Sequence, residues 1–374
     1  MKTLFNIHIK GIAFVFLYKL AIEIMYFSAV CPIYGYRGYF VEINILKYIL
    51  SWIFAIAIFM LLPKGNKISH RILQMHYVTM ILPFISIFAC SNQELTFCSM
   101  ILSAFALQLV ILQLVKTDIK IPRLYFKPSI ILLFITIMTV YVYVNAIKFY
   151  GVHFKAINFA NIADIRINAG QITGLVGYLI LWQYRMINPY LMIYSLKKKN
   201  YGILVVSIFL QLLMFFIVAR KEVLFSIFLI LGLYWWIEKF NLLHSMLVCL
   251  GIASVISAII AFNFRLPLSI MIRILIDPAM IKFRHFQVFS TILPKLQFSE
   301  GKIGKILNIS YPYDKPSGYI VSELHNNVIS NENTGYLAYA YDNGGFIAMI
   351  FMSIIFICLL LLLDAIACKK NKNL

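Results

Sequence analysis

The sequence predicts an all-α polytopic membrane protein of about ten transmembrane helices with one large outer loop. Three observations carry that expectation. Apolar and aromatic residues make up 62% of the 374 positions and charged residues only 13%, about half the charged share of a globular domain. A soluble fold of this length would lack the polar surface to cover itself, which argues against a soluble enzyme, a disordered tail or a coiled coil. Apolar runs of the ~20 residues that a helix needs to cross a bilayer recur along the chain. Lysine and arginine, finally, are distributed unevenly among the connections, as in inserted helices. The formal charge of +19 is therefore read as loop charge at a membrane rather than as a nucleic-acid surface.

Ten runs qualify, at 11–31, 43–62, 72–90, 95–115, 128–147, 172–195, 201–218, 222–237, 242–263 and 344–365. The eighth is short. Lys47 lies near the start of the second and can snorkel, and Arg185 lies well inside the sixth. With the N-terminus in the cytoplasm, the cytoplasmic segments hold sixteen basic residues: Lys2, Lys10, Lys64, Lys67, Arg71, Lys116, Lys120, Arg123, Lys127, Lys197, Lys198, Lys199, Lys239, Lys369, Lys370 and Lys372. The first two outer loops hold only Arg37. Both termini are thus expected inside. Lys19 and Glu23 interrupt the first run, so it reads as a retained anchor rather than a cleaved signal. Four residues apart on one helical face, they also read as an internal pair turned toward the bundle.

The whole of 1–374 reads as a single integral membrane domain with two elaborated outer loops, 148–171 and 264–343. Loops of the second's length are usually functional. Residues 265–294 place Met280, Phe283, Phe286, Phe289 and Leu293 at three- and four-residue steps, with Lys282, Arg284, His285 and Gln287 interleaved and Pro267, Pro278 and Pro294 as punctuation. That pattern suits a helix lying in the headgroup layer. The stretch 299–343 supplies Tyr311, Tyr313, Tyr319, Tyr336, Tyr339 and Tyr341 as flat rings with a polar handle. Asn326, Asn327, Asn331, Asn333 and Asn343 supply paired donors and acceptors. Sugars fit such a surface, and so does an ordinary loop rich in turn formers; composition leaves both open.

Arginine beside apolar surface needs a partner. Arg166, in Asp164-Ile-Arg166 ahead of Gly170, Gly174 and Gly177, is one such residue; Arg273, among isoleucines, is another; Arg220 with Lys221, between two spans, and Arg284 complete the set. Several convergent arginines can hold a diphosphate through bidentate bonds. Internal pairs with Asp164, Glu222 or Asp277, or headgroup contacts, are the alternatives. His325 is the one histidine among the tyrosines and asparagines of the second half of the loop, and a candidate general base because it titrates near neutrality; Glu323, Glu332 and Asp342 are the other candidates. The six cysteines show no C-x-x-C pair and the histidines no metal spacing, so neither metal nor cofactor is expected.

The segment Asn331-Glu332-Asn333-Thr334-Gly335-Tyr336-Leu337-Ala338-Tyr339-Ala340-Tyr341-Asp342-Asn343-Gly344-Gly345-Phe346-Ile347 leads straight into the last apolar run. It resembles the segment before the final span of Wzy-type O-antigen polymerases, which typically runs Asn-Ala-Asn-Thr-Gly and then Ala-Tyr-x-Asn-x-Gly. Ala219-Arg220-Lys221-Glu222 looks like that family's short basic turn, Asp164-Ile-Arg166 like its first elaborated outer loop, and Arg273 to Phe289 like the start of its large loop. Glu332, where a small residue is usual, and Ala348, where a second glycine is common, depart from the pattern.

The resemblance implies the helical fold of the lipid-dependent, GT-C-like membrane glycosyltransferases, and an enzyme at the periplasmic face of a bacterial inner membrane. Such an enzyme moves a growing glycan from one polyprenyl diphosphate onto an incoming lipid-linked repeat unit. The expected catalytic residues are Arg166 and Arg273, in segments that look like the family's, and His325, which rests on its own chemistry because the better-matched segment begins at Asn331 and leaves it out; Arg220, Lys221, Arg284, Asn331, Asn333, Thr334, Tyr336, Tyr339 and Asn343 are expected to bind substrate. Expected partners are the polyprenyl-diphosphate-linked oligosaccharide, membrane lipid, and the chain-length regulator and flippase of the same pathway, with no nucleic acid. A lipid-linked oligosaccharide flippase is the alternative outside catalysis, disfavoured because polar residues concentrate in one loop rather than lining many spans. An O-antigen ligase would share the chemistry with a different acceptor.

Reporter fusions test the topology. Fusions at Lys199 and at Asn327 should report opposite sides of the membrane, and a cytoplasmic signal at Asn327 would remove the outer placement of the long loop.

Overall fold

The computed structural model describes residues 2–115, 128–159, 161–162, 164–165, 174–326 and 330–368. Among them the structure is helical, with no strand beyond an isolated bridge between Glu42 and Ser91. Among the described residues, seven helices are long and apolar enough to cross a membrane. Three further expected spans, the second, sixth and eighth, are helical without being among those seven.

The first helix, α1 (Lys2–Met25), continues through a π turn at Tyr26–Val30 into Cys31–Tyr34 and a 3-10 turn at Gly35–Arg37. Asn44 starts α2 (Ile45–Leu61) by accepting from the amides of Leu46 and Lys47 at 3.0 and 3.3 Å, which satisfies donors that a helix start leaves open. Helices α3 (Ile68–Cys90) and α4 (Leu95–Leu114) follow, then α5 (Pro128–Tyr150). Helix α6 runs from Gly174–Trp182 through a π turn at Gln183–Ile187 into Asn188–Lys198. Then come α7 (Tyr201–Val218), α8 (Lys221–Lys239) and α9 (Leu242–Ile260). The long loop folds into α10, which spans residues 265–292 as alternating α and π turns, the short α11 (Lys302–Ile306) and α12 (Ser317–Asn326). Helix α13 (Tyr336–Cys368) closes the chain.

Proline explains the π turns. Those at Tyr26–Val30, Tyr77–Ile81, Gln183–Ile187 and Ile272–Ile276 each stand just before an X–Pro step, at Pro32, Pro83, Pro189 and Pro278. Proline has no N–H to donate to the preceding turn. The helix widens by one residue instead of breaking, so the apolar runs stay continuous.

The chain gathers into two compact units, Met1–Ile121 with Leu242–Leu374, and Pro122–Asn241. In the first, Tyr18, Tyr26, Tyr77, Phe84, Phe97 and Phe283 pack into one core. Lys19 and Glu23 are buried in it as an ion pair, as their spacing predicts. The Tyr48 hydroxyl donates to Glu23 at 2.9 Å, and the Lys19 ammonium sits 4.1 Å from the Trp52 ring centroid. Lys47 turns its ammonium to the carbonyls of Asn92 and Gln93, at 3.1 and 2.9 Å.

The second unit has its own apolar cluster around Val142, Ile180, Met214, Phe215 and Val223. A buried amide chain crosses it. Gln183 donates to Asn188, Asn188 to Gln211 and Gln211 to Ser226, each at 2.8 Å, the kind of bond that joins helices where no water can serve them.

Candidate functional site

The polar side of helix α10 is not turned to solvent. Lys282, Arg284 and His285 are buried along with Met280 and Phe283. Phe283 stacks on Phe84 at 4.4 Å between centroids and Phe286 on Phe97 at 4.6 Å. A charge so placed needs a partner, and α10 offers none one turn away: positions four before and after Arg284 and His285 are Met280, Val288, Ile281 and Phe289. The partners come from the segment after α12.

Arg284 Nη1 bonds Glu332 at 2.5 Å, with both side chains under a tenth exposed. Its Nη2 donates to the backbone oxygen of Arg37. His285 holds Glu332 from the other side: Nε2 lies 2.9 Å from the Glu332 carbonyl and Nδ1 2.7 Å from Asp342 Oδ2. A carbonyl can only accept, so Nε2 carries a proton. Burial disfavours a charged ring, but the hydrogen bond and charge of Asp342 outweigh it, and the His285 pKa is raised. The Glu332 amide donates to Gly318 at 3.1 Å. There the backbones approach so closely that a Cβ on Gly318 would stand 3.0 Å from the Glu332 carbonyl oxygen.

Asp342 and Asn343 reach this network because α13 breaks just after them. Gly344 and Gly345 depart from helical geometry, Gly345 with φ 64° and ψ −152°, a region essentially reserved for glycine. The carbonyls of Asp342 and Asn343 accept from the amides of Leu296 and Gln297 at 2.9 and 3.0 Å. Asn343 Oδ1 takes the Phe298 amide at 2.6 Å and its Nδ2 donates to Tyr339 at 2.7 Å. Lys295 lies beside this end of the segment, its ammonium 3.2 Å from the Tyr341 ring centroid. Desolvation lowers its pKa to about 8, against the pull of Asp342.

His325 stands at the end of α12, half-buried, and hydrogen-bonds the Arg284 backbone. Its Nε2 has no hydrogen-bond partner. Burial and the Arg284 charge lower its pKa. Glu323, by contrast, is half-exposed and paired with Lys315 at 2.8 Å.

The expected site residues thus divide. His325, Arg284, Asn331, Asn333, Thr334, Tyr336, Tyr339 and Asn343 belong to one neighbourhood of the first unit. The Asn343 amide is used by backbone there, and the Tyr336 hydroxyl meets Gln108 at 2.7 Å. Thr334 Oγ1 is buried without a partner, and Asn331 and Asn333 are exposed. Arg273 is exposed in the π turn of α10 and forms no ion pair among the described residues. Arg220 and Lys221 are in the second unit. Arg220 lies 3.5 Å from Glu222, which Arg185 also pairs with at 3.1 Å; the Lys221 ammonium lies 5.1 Å from the Phe159 ring centroid. Arg166 lies outside the described residues. Sequence reasoning noted His285 only as a polar interruption. The signal that could have found it is an Arg-His pair in an apolar helix with no local acid. Among the described residues, no group of histidine, cysteine or acid is placed to hold a metal.

No protein family, no curated protein and no solved structure matches the chain.

Lys282 yields a prediction. It is buried with its ammonium on the Pro278 carbonyl at 2.8 Å, beside an apolar cavity of about 20 Å³ lined by His76, Phe84, Phe105 and Gly335, room for about one water. Burial lowers its pKa to about 8, so between about pH 8 and the ordinary lysine value of ~10.4 the unfolded chain binds the extra proton. Stability must rise with pH across that window. Thermal unfolding in detergent should show that rise in the wild type, a flatter profile in Lys282→Met, and a variant more stable than wild type at pH 7. An unchanged pH slope in the variant would show that Lys282 is not the group responsible.

Proposed function

We propose that the chain is an inner-membrane glycosyltransferase that polymerises polyprenyl-diphosphate-linked O-antigen repeat units at the periplasmic face. One observation carries the reading. The segment 331–347, which resembles the polymerase motif, is clamped by Arg284 and His285 directly beside a half-buried histidine whose Nε2 has no partner.

The chemistry follows from those groups. An acceptor sugar hydroxyl attacks the anomeric carbon of the donor glycan. The new C–O bond forms as the bond to the diphosphate oxygen breaks, and polyprenyl diphosphate leaves with the electron pair. The hydroxyl proton passes to His325 Nε2, the role of a general base. Arginine stabilises the charge growing on the leaving diphosphate, and exposed Arg273, without a carboxylate partner, is free to do so. Asn331 and Asn333 offer amides to sugar hydroxyls from the exposed side of the clamped segment. Arg284, engaged by Glu332, acts here by positioning. Arg220 and Arg166 are assigned to the substrate diphosphate only through the family resemblance.

Replacing a general base typically costs ~10²–10⁴ in rate. His325→Ala should collapse the lipopolysaccharide ladder to single repeats while the protein stays folded and in the membrane. A ladder of normal length would exclude His325 as the base. Loss of all repeats, including single ones, would favour a ligase or flippase.

A further inference from the structure

The first outer segment, which the reading above leaves unused, runs beside the exposed part of α10. The Tyr34 hydroxyl meets Ser269 at 2.8 Å, the Tyr39 hydroxyl donates to Asp277, and the Arg37 carbonyl accepts from Arg284. Ser269, Arg273 and Asp277 follow one another at four-residue steps, so they share one stripe of α10. Two members of that stripe, one on each side of Arg273, touch the 34–39 segment.

Both arginines here are exposed, and neither forms an ion pair among the described residues. The nearby acids are engaged elsewhere: Asp277 by Tyr39, Glu332 by Arg284, and Glu42 by the Asn92 amide at 2.7 Å. The Arg37 guanidinium is instead steadied by aromatic faces, 5.1 Å from the Tyr34 ring centroid and 5.5 Å from that of Tyr36. Gly38, at φ 79°, makes the turn immediately after it, a conformation that suits glycine. Beyond that turn Phe40, Val41, Ile43, Ile45 and Leu46 are all exposed. Two unpaired guanidinium groups from different elements, adjoining an apolar strip, match a ligand with a phosphate head and a hydrocarbon tail.

We propose that Arg37 and Arg273 form a two-arginine clamp for the diphosphate of a polyprenyl lipid, whose tail runs along residues 40–46. The assignment of that lipid as substrate rests on the polymerase reading; the binding does not.

The test is a double-mutant cycle on the full-length chain in phosphatidylcholine nanodiscs, titrated with farnesyl diphosphate and with farnesol as the uncharged control. Arg37→Ala and Arg273→Ala should each weaken farnesyl diphosphate about 10- to 100-fold and leave farnesol unchanged. The double variant should lose clearly less than the product of the two, because the arginines share one ligand. Arg37→Lys, which keeps charge without the planar fork, should bind at an intermediate level. Full affinity in Arg37→Ala, or losses that multiply, would overturn the clamp. So would abolition of wild-type binding by phosphatidylglycerol in the nanodisc, which would make the pair a headgroup site. A clamp that passes while His325→Ala keeps a full ladder would sustain this proposal and defeat the assigned base.

Discussion

Charge buried among apolar side chains has to find its counter-charge inside the protein, and the first unit is organised by that requirement. Removing one member of a buried pair costs ~3–5 kcal/mol because the other is left uncompensated. Arg284 and His285 are adjacent on α10, and neighbours on a helix point in different directions. Their partners must therefore approach from different angles. Glu332 and Asp342, ten positions apart, are carried there by a chain that runs without regular structure to Gly335 and then enters a helix at Tyr336. The break at Gly344–Gly345 leaves the carbonyls of Asp342 and Asn343 for Leu296 and Gln297. A continuous helix there would have taken those carbonyls for its own ladder.

The same requirement explains the rest of the bundle. Lipid offers no hydrogen bonds, so backbone and side-chain groups at membrane depth must be satisfied internally. The π turns before Pro32, Pro83, Pro189 and Pro278 keep helices intact where a donor is missing. The Gln183–Asn188–Gln211 chain does for side chains in the second unit what the Lys19–Glu23 pair does in the first. In both units these buried polar side chains are bonded to one another. Arg37 and Arg273, by contrast, are exposed and form no ion pair among the described residues.

Much of this is legible in the sequence. The apolar runs locate the helices because hydropathy is a local property summed over some twenty positions. The four-residue spacing of Lys19 and Glu23 reveals their pairing because a helix fixes which residues share a face. The expectation failed for α10, where an apolar stripe with interleaved cations looks the same whether its polar side meets lipid headgroups or distant carboxylates. Arg284 and Glu332 are 48 positions apart, and Arg37 and Arg284 are 247 apart; no local pattern encodes such pairings. Glu332, a departure from the polymerase motif as a string of letters, becomes intelligible as the counter-charge of Arg284.

The most direct test of this account is a cycle on that pair. Arg284→Met, Glu332→Leu and the double variant would be compared with wild type by thermal unfolding in detergent, at matched expression. If the buried pair organises the segment, each single variant loses ~3–5 kcal/mol, and the double variant recovers most of that loss because no orphaned charge remains. Losses that simply add in the double variant would contradict it, and would place the hold on segment 331–345 elsewhere.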